Sequence, residues 1–155
     1  MEIINRIGHE MTVALMGMVP FIEVKGAIPM GLAMGLKPLE SLFFSLLGNV
    51  CLIPVLLLVL RPAFHFLRQL KYMGPVIEKI ERNTLKKSKK YERFSLFGLF
   101  FLVALPVPGT GVYTGCLAAS LLDIRFKHAL PIVAAGAVVA GVLIFLFFLP
   151  THFFF

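Results

Sequence analysis

The fold of this chain is decided by residues 20–35, PFIEVKGAIPMGLAMG, which place two opposite charges between two prolines. The charges are Glu23 and Lys25, and the prolines are Pro20 and Pro29. An ionisable side chain near the centre of a bilayer costs at least about 2.5 kcal/mol, so it normally faces protein or a wet cavity. This pair therefore indicates a segment that faces protein or a wet cavity rather than lipid.

The segments on either side of the charged pair are uncharged but short. Residues 11–22 precede it and residues 26–36 follow it. Neither reaches the roughly 20 apolar residues that a helix needs to cross a bilayer. We therefore predict a re-entrant hairpin, in which two half-helices enter and leave the membrane by the same face, with Glu23 and Lys25 at an irregular tip. The structural residues of this tip are Pro20, Gly26 and Pro29.

Composition indicates an all-α integral membrane protein. The chain has 155 residues, of which 59% are hydrophobic and 16 are Phe, and its mean hydropathy is +0.92. A soluble domain of this length cannot bury so much apolar surface, and the length suits a single membrane domain over residues 1–155. The two cysteines, Cys51 and Cys116, lie in apolar segments without metal-ligand spacing, so we expect neither a metal nor another cofactor.

The net charge of +7 is concentrated in one segment rather than spread over the chain. Ten of the 15 Lys and Arg residues fall within residues 61–93, beside only three acidic residues. Basic loops stay cytoplasmic, so this linker marks the inside and has anionic lipids, not nucleic acid, as neighbours. Helical spacing within it suggests a basic amphipathic helix on the inner leaflet, although a solvated loop also fits. The residues of that pattern are Val76, Ile77, Lys79, Ile80, Arg82, Thr84, Leu85, Lys86 and Lys87.

A second interrupted segment follows the linker. Residues 94–122 are uncharged, but LPVPGTG at residues 105–111 puts two prolines and two glycines in the middle of them. Such residues break a helix, so we predict a second re-entrant hairpin with arms at 95–105 and 112–122. Its tip residues are Pro106, Pro108, Gly109 and Gly111.

Each hairpin precedes an uncharged segment long enough to span a membrane, residues 41–60 and 129–149. The chain thus divides into a first repeat (1–60), the linker (61–93) and a second repeat (94–149). With one full crossing in each half, the second half enters the membrane upside down, which gives an inverted repeat of the kind common in transporters. Four ordinary spanning helices, with the linker and both termini inside, form the alternative, and the distribution of basic residues fits both topologies.

The two tips are the places where chemistry is expected. A carboxylate in a low-dielectric cavity binds protons more readily, so Glu23 is a candidate proton or cation site, with Lys25 near a substrate anion. The plainer interpretation is a structural ion pair that stiffens the tip. Free N–H groups at the starts of two half-helices suggest an anion or headgroup site between them. Its candidate hydroxyl donors are Thr110, Tyr113 and Thr114, and Asn49 is a further polar residue that either lines the path or bonds a neighbouring helix.

The motifs E-x-K-G-A-I-P-x-G, residues 23–31, and A-L-P-x-P-G-T-G, residues 104–111, resemble the family labelled putative small multi-drug export proteins. That family is thought to be similar to the DedA/VTT superfamily, whose members also carry two re-entrant hairpins and an acidic first tip, here Glu23. The resemblance implies a bacterial or archaeal inner-membrane protein, and it implies activities such as lipid-carrier translocation or maintenance of the proton-motive force. DedA-type proteins typically carry arginines in the second hairpin, whereas residues 94–122 contain none.

Taken together, these features predict a proton-coupled transporter that exports a small molecule or translocates a lipid carrier, with its site between the two hairpins. The alternative is a membrane scaffold or assembly factor that transports nothing. No catalytic constellation is visible, so an enzyme is not expected. Because exposed hairpin backbone must be buried in protein or water, we expect a homodimer or larger homo-oligomer.

Overall fold

The computed structural model describes residues 2–69, 74–76, 78–79, 88–107 and 109–154. Helices make up nearly all of this part of the chain, and no strand occurs in it. The six principal helices are α1 (Glu2–Met18), α2 (Glu23–Ala33), α3 (Pro38–Arg68), α4 (Ser88–Ala104), α5 (Val112–Leu121) and α6 (Phe126–Phe154).

The helices form two groups of three. In the first group α2 folds back along α1, so that Val13 of α1 lies in one buried cluster with Ala27 of α2 and with Leu36. Both helices pack on α3. In the second group α4 and α5 contact each other and both pack on α6. The contacts between the groups also correspond, since α3 packs on α5 while α6 packs on α2.

The long helices α3 and α6 are antiparallel neighbours at the centre. The Arg61 guanidinium near the end of α3 lies over the ring of Phe126, the first residue of α6. Leu46, early in α3, lies beside Gly141, late in α6. Residues 38–66 and 126–150 are each long and apolar enough to cross a membrane. The largest buried cluster joins the two groups, and its members include Ile53, Leu57, Leu99, Val103, Cys116 and Val133.

The first hairpin differs from prediction in its boundaries. The chain breaks at residues 19–22, so Glu23 and Lys25 stand in the first turn of α2 rather than in an irregular tip. Gly26 and Pro29, assigned to the tip from sequence, lie inside α2, and only Pro20 is in the turn. Proline inside a helix removes one backbone hydrogen bond but need not end the helix where neighbouring helices pack against it. The Ser41 hydroxyl of α3 donates to the Ile28 carbonyl at 2.8 Å, which holds this part of α2 against α3.

Several helices extend beyond the uncharged segments from which they were predicted. Helix α1 begins at Glu2, nine residues before the uncharged segment 11–22, and an i,i+4 ion pair between Arg6 and Glu10 supports its first turns. The two predicted spans, 41–60 and 129–149, lie inside longer helices, because the internal prolines of α3 and α6 do not end them. Pro38 occupies the first position of α3, where its missing N–H costs nothing.

The second hairpin is broken as its sequence indicates. Helix α4 ends at Ala104 and α5 begins at Val112, with Pro106, Gly109 and Gly111 between them; Pro108 lies outside the described residues. Residues 11–36 and 94–122 are each divided into two helices, so neither segment is one continuous helix. Which of the two topologies the chain adopts in a membrane stays a prediction. The predicted amphipathic linker helix falls largely outside the described residues and stays a prediction.

The α1–α3 crossing depends on glycines, and this gives a first prediction. A Cβ on Gly48 would overlap the backbone of Ala14 on α1, whereas a Cβ on Gly8 meets nothing within 4 Å. We expect Gly48→Ala to lower the free energy of unfolding by about 2 kcal/mol and Gly8→Ala to raise it by about 0.5 kcal/mol. Thermal unfolding in detergent measures both, and equal effects of the two substitutions would contradict the close crossing.

Candidate functional site

The turn between α1 and α2 is strained. Phe21 has φ +72° and Glu23 has φ +44°, in the left-handed region that side chains disfavour. The Phe21 side chain is 93% exposed, whereas Glu23 is only 6% exposed. Non-glycine residues persist in such conformations only where the surroundings hold them, and they cluster at functional sites. The conformation turns Glu23 inward, toward the second hairpin.

The Glu23 carboxylate occupies the N-terminus of α5. The backbone N–H of Tyr113 donates to Glu23 Oε1 at 3.2 Å, and the amide of Val112 also interacts with the carboxylate. Both amides belong to the first turn of α5, where N–H groups lack helical partners and the helix dipole favours negative charge. The predicted anion site at this helix start thus holds an anion of the protein itself.

Gly111 makes that approach possible. It has φ +152° and immediately precedes α5. A Cβ at this position would overlap the Glu23 carboxylate. The glycine is therefore required twice over, for its backbone conformation and for the space that the carboxylate fills.

Lys25 binds the other side of the same break. Its ammonium donates to the carbonyl of Val107 at 2.6 Å and to the carbonyl of Thr110. These carbonyls lie in the non-helical segment between α4 and α5, where they have few regular helical partners. Lys25 thereby satisfies acceptors of the second tip, while Glu23 satisfies donors of the same tip.

The two motifs are thus complementary. A broken helix offers N–H groups on one side of the break and carbonyl groups on the other, and the E-x-K pair supplies one charge for each. Glu23 and Lys25 do not form an ion pair with each other within 4 Å; among the described residues the ion pairs are Arg6–Glu10 and Arg6–Glu40. Each charge instead bonds the backbone of the other hairpin. A purely structural role for the two residues, as in the plainer interpretation, stays a prediction.

The three candidate hydroxyls also have backbone partners. Thr110 Oγ1 donates to the carbonyls of Leu105 and Val107, each at 2.9 Å. Thr114 Oγ1 donates to the Gly109 carbonyl at 2.8 Å. The Tyr113 hydroxyl donates to the Met18 carbonyl, at the end of α1. All three stabilise freed carbonyls at the tips, and a role for them in binding substrate stays a prediction.

Helix α3 carries a buried polar stripe beside the first hairpin, of which sequence reasoning named only Asn49. Ser41 and Ser45 share its face at i,i+4 spacing and are fully buried. Ser45 Oγ donates to the Ser41 carbonyl at 2.6 Å. Asn49 is 2% exposed, and its Oδ1 atom has no hydrogen-bond partner among the described residues. The repeat of polar residues every four positions was the signal that could have revealed this stripe.

A cavity of about 700 Å³ opens next to the two tips. Lys25 is the one charged residue in its wall, and the other lining residues are Phe21, Gly26, Pro106, Leu143, Ile144, Phe147 and Phe148. This volume lies within the range of sites for small organic ligands, which are mostly apolar with a few polar groups. No group of three or more metal-binding side chains occurs in the part of the chain that the structure describes.

Comparison with known families decides the class of this protein. A family model described as putative small multi-drug export protein matches residues 23–143, which include both tips and most of the long helices. The chain belongs to this family. Searches of curated proteins and of solved structures return no match.

Membership confirms the resemblance that the E-x-K and P-x-P-G-T-G motifs indicated. The family's description is that of an export protein, which points to a membrane transporter. The two long apolar helices agree with a membrane protein. The family match begins at Glu23 itself, so the residues that join the two hairpins fall within it.

Proposed function

We propose that α3 and α6 cross the membrane in opposite directions and that the α1–α2 and α4–α5 hairpins enter it from opposite faces as an inverted repeat. The antiparallel packing of α3 on α6 supports this. So does the correspondence between the contacts of the two groups. In this topology the basic linker is cytoplasmic, in a bacterial or archaeal inner membrane.

The depth of the two tips supports the same topology. Gly17, near the end of α1, lies beside Asn49, which is 11 residues after the start of α3. Val103, near the end of α4, lies beside Gly136, which is 10 residues after the start of α6. At 1.5 Å per residue these distances are about 16 Å and about 15 Å. Their sum matches a hydrocarbon core of about 30 Å, so tips entering from opposite faces meet near its middle.

The function that this geometry supports best is proton-coupled transport through the region between the tips. The observation that carries it is the buried Glu23 carboxylate at the N-terminus of α5. A hydrogen bond to a charged acceptor is roughly twice as strong as one between neutral groups, so protonation weakens the bond between Glu23 and Tyr113. Proton binding then loosens the contact between the hairpins, and proton release restores it.

The cavity beside Lys25 is the proposed substrate site. Its wall combines aromatic and aliphatic side chains with a single cation, which suits an apolar organic anion, either a small molecule or the headgroup end of a lipid carrier. Lys25 also holds the carbonyls of Val107 and Thr110. A substrate anion that competes for the ammonium would therefore loosen the second tip at the same time.

Proton coupling is tested with purified protein in vesicles that enclose a pH-sensitive dye. A panel of fluorescent apolar anions and cations is added under an imposed proton gradient. We expect Glu23→Gln to reduce coupled proton and anion movement at least about tenfold, because a side-chain amide does not take up a proton near neutral pH. Glu40→Gln, which removes a carboxylate from the first turn of α3, is the matched control and should retain the parent rates.

If Glu23→Gln moves protons and anions as fast as the parent protein, the coupling role is wrong. Anion transport by the parent protein without proton movement would also contradict coupling, whereas anion transport by Glu23→Gln without proton movement would support the coupling role of Glu23. A preference for cations over anions in the parent protein would contradict the role given to Lys25.

A scaffold or assembly function is the second candidate, and one observation favours it. Glu23 and Lys25 both bond backbone groups of the other hairpin, so both have a structural role that needs no transport. A scaffold predicts that neutral replacements at these positions spare activity in cells wherever the protein still folds, whereas substitutions at packed glycines do not.

We also propose that the chain forms a homodimer or a larger homo-oligomer. The Phe21 ring at the first tip is almost fully exposed, and irregular backbone at membrane depth must be covered by protein or water. Chemical crosslinking in native membranes is expected to yield dimers or larger species, and a monomer alone would argue against them.

A further inference from the structure

A separate cavity of about 330 Å³ lies away from the two tips, where α3 nears its end and α6 begins. It is on the side of the fold from which the basic linker departs. Its lining residues are Arg61, Pro62, Phe64, His65, Ser120 and Asp123. None of these residues takes part in the tip site.

Arg61 is held in place from two sides. Its Nη2 group donates to the backbone carbonyl of Ile124, and its guanidinium lies 5.8 Å from the centre of the Phe126 ring. Its Nε atom is buried and has no hydrogen-bond partner among the described residues. A buried donor without a partner destabilises a folded protein, so the unpaired Nε–H of this fixed guanidinium points to an acceptor that the described part of the chain does not supply.

Ser120 gives a second, independent indication. Its side chain is 3% exposed and lines the same cavity. Within the described residues its hydroxyl has no partner either. Arg61 and Ser120 thus line one cavity, and each has a buried donor without a partner in the part of the chain that the structure describes. A guanidinium beside a hydroxyl is a common combination for binding a phosphate oxygen.

We propose that this cavity binds a phosphate group, with Arg61 Nε and Ser120 Oγ as its donors. Two side chains in the cavity wall indicate how much negative charge the bound phosphate group carries. The Arg61 cation attracts an anion, whereas the Asp123 carboxylate in the same wall opposes a second negative charge. A singly charged phosphodiester therefore fits better than inorganic phosphate, which carries more charge at neutral pH.

The position of the cavity along the two long helices indicates which molecule supplies that phosphodiester. The apolar part of α3 ends at residue 66 and that of α6 begins at residue 126, so Arg61 and Ser120 stand close to one end of both apolar stretches. Phospholipid headgroups lie at this level of a membrane, and anionic lipids are concentrated on the cytoplasmic face that basic segments prefer. The ligand is the headgroup phosphate of an anionic phospholipid, and free phosphate is the alternative source.

Thermal unfolding of the full chain in an uncharged detergent tests this site. Short-chain phosphatidylglycerol is the lipid probe and inorganic phosphate is the second probe. We expect the lipid to raise the unfolding temperature by about 5 °C or more and inorganic phosphate to raise it by less than about 1 °C. Arg61→Gln and Ser120→Ala should each remove most of the lipid effect, while Arg125→Gln, which changes an exposed neighbour, should keep it.

Equal lipid shifts in Arg61→Gln, Ser120→Ala and the parent protein would overturn the site. If inorganic phosphate gives the larger shift through the same two residues, the phosphate site stands and the lipid source is overturned. Should Arg61→Gln fail to fold, Ser120→Ala still decides, together with Asp123→Asn. The asparagine variant should bind inorganic phosphate more tightly than the parent, and an unchanged response to it would contradict the charge argument.

Discussion

Gly111→Ala is expected to destabilise the protein by more than about 3 kcal/mol, enough to prevent accumulation of folded protein in the membrane. The added Cβ overlaps the Glu23 carboxylate. The carboxylate must then leave the α5 N-terminus, and a buried charge loses the amide of Tyr113 that stabilises it. Thermal unfolding of detergent-purified protein, or the fraction recovered as a single species by gel filtration, measures the effect.

Two further variants separate that collision from backbone strain. Gly109 also has a positive φ, +85°, but a Cβ there meets nothing within 4 Å. Gly109→Ala should therefore cost only about 1–2 kcal/mol. In a Glu23→Ala background the added methyl group has no carboxylate to displace, so Gly111→Ala should cost no more than Gly109→Ala does. A full cost in that background would show that Gly111 acts through its backbone alone.

The two ends of the second repeat are expected on opposite sides of the membrane. Single cysteines placed at Ser88 and Phe155, in a chain lacking Cys51 and Cys116, report this with an impermeant thiol reagent on intact cells. With the hairpins re-entrant, α6 is the single crossing between the two positions. Only Phe155 should label before the cells are broken, and both should label afterwards, so the expected contrast is all or none.

Labelling of both cysteines from the same side would require an even number of crossings between them. Residues 94–122 would then cross the membrane once as a continuous span, and the meeting of two tips near the bilayer centre would be lost. The packing of α4 against α5 would be contradicted as well. The proton-coupled mechanism would also be lost, since Glu23 would no longer be shielded from both aqueous phases.

The interruptions of the two hairpins were predictable because prolines and glycines act locally. The start of α5 at Val112 agrees with the prediction, since Gly109 and Gly111 have the positive φ angles that glycine allows. The first hairpin was harder, because Pro20 breaks the chain whereas Pro29 does not. The difference is tertiary: α2 packs against α1 and α3 on both sides of Pro29, and the Ser41 hydroxyl of α3 bonds the Ile28 carbonyl. No local pattern reveals contacts with other helices.

The importance of Glu23 and Lys25 was predictable, but their partners were not. Intramembrane charge singles them out in any sequence of this kind. Their bonds to the backbone of Tyr113 and Val107 join positions more than 80 residues apart, and main-chain groups leave no trace in the side-chain pattern. For the same reason Arg61 read as the first residue of a basic loop, although it is fixed against Ile124 and Phe126.

The unequal chemistry of the two hairpins has a consequence for how such a chain can be assembled. Both charges come from the first half, and all the main-chain groups that receive them come from the second. Two copies of the first half would bring like charges face to face, and two copies of the second would have no charge to offer. A working pair thus needs one half of each kind, so separately expressed halves should recover folded protein only when both are present.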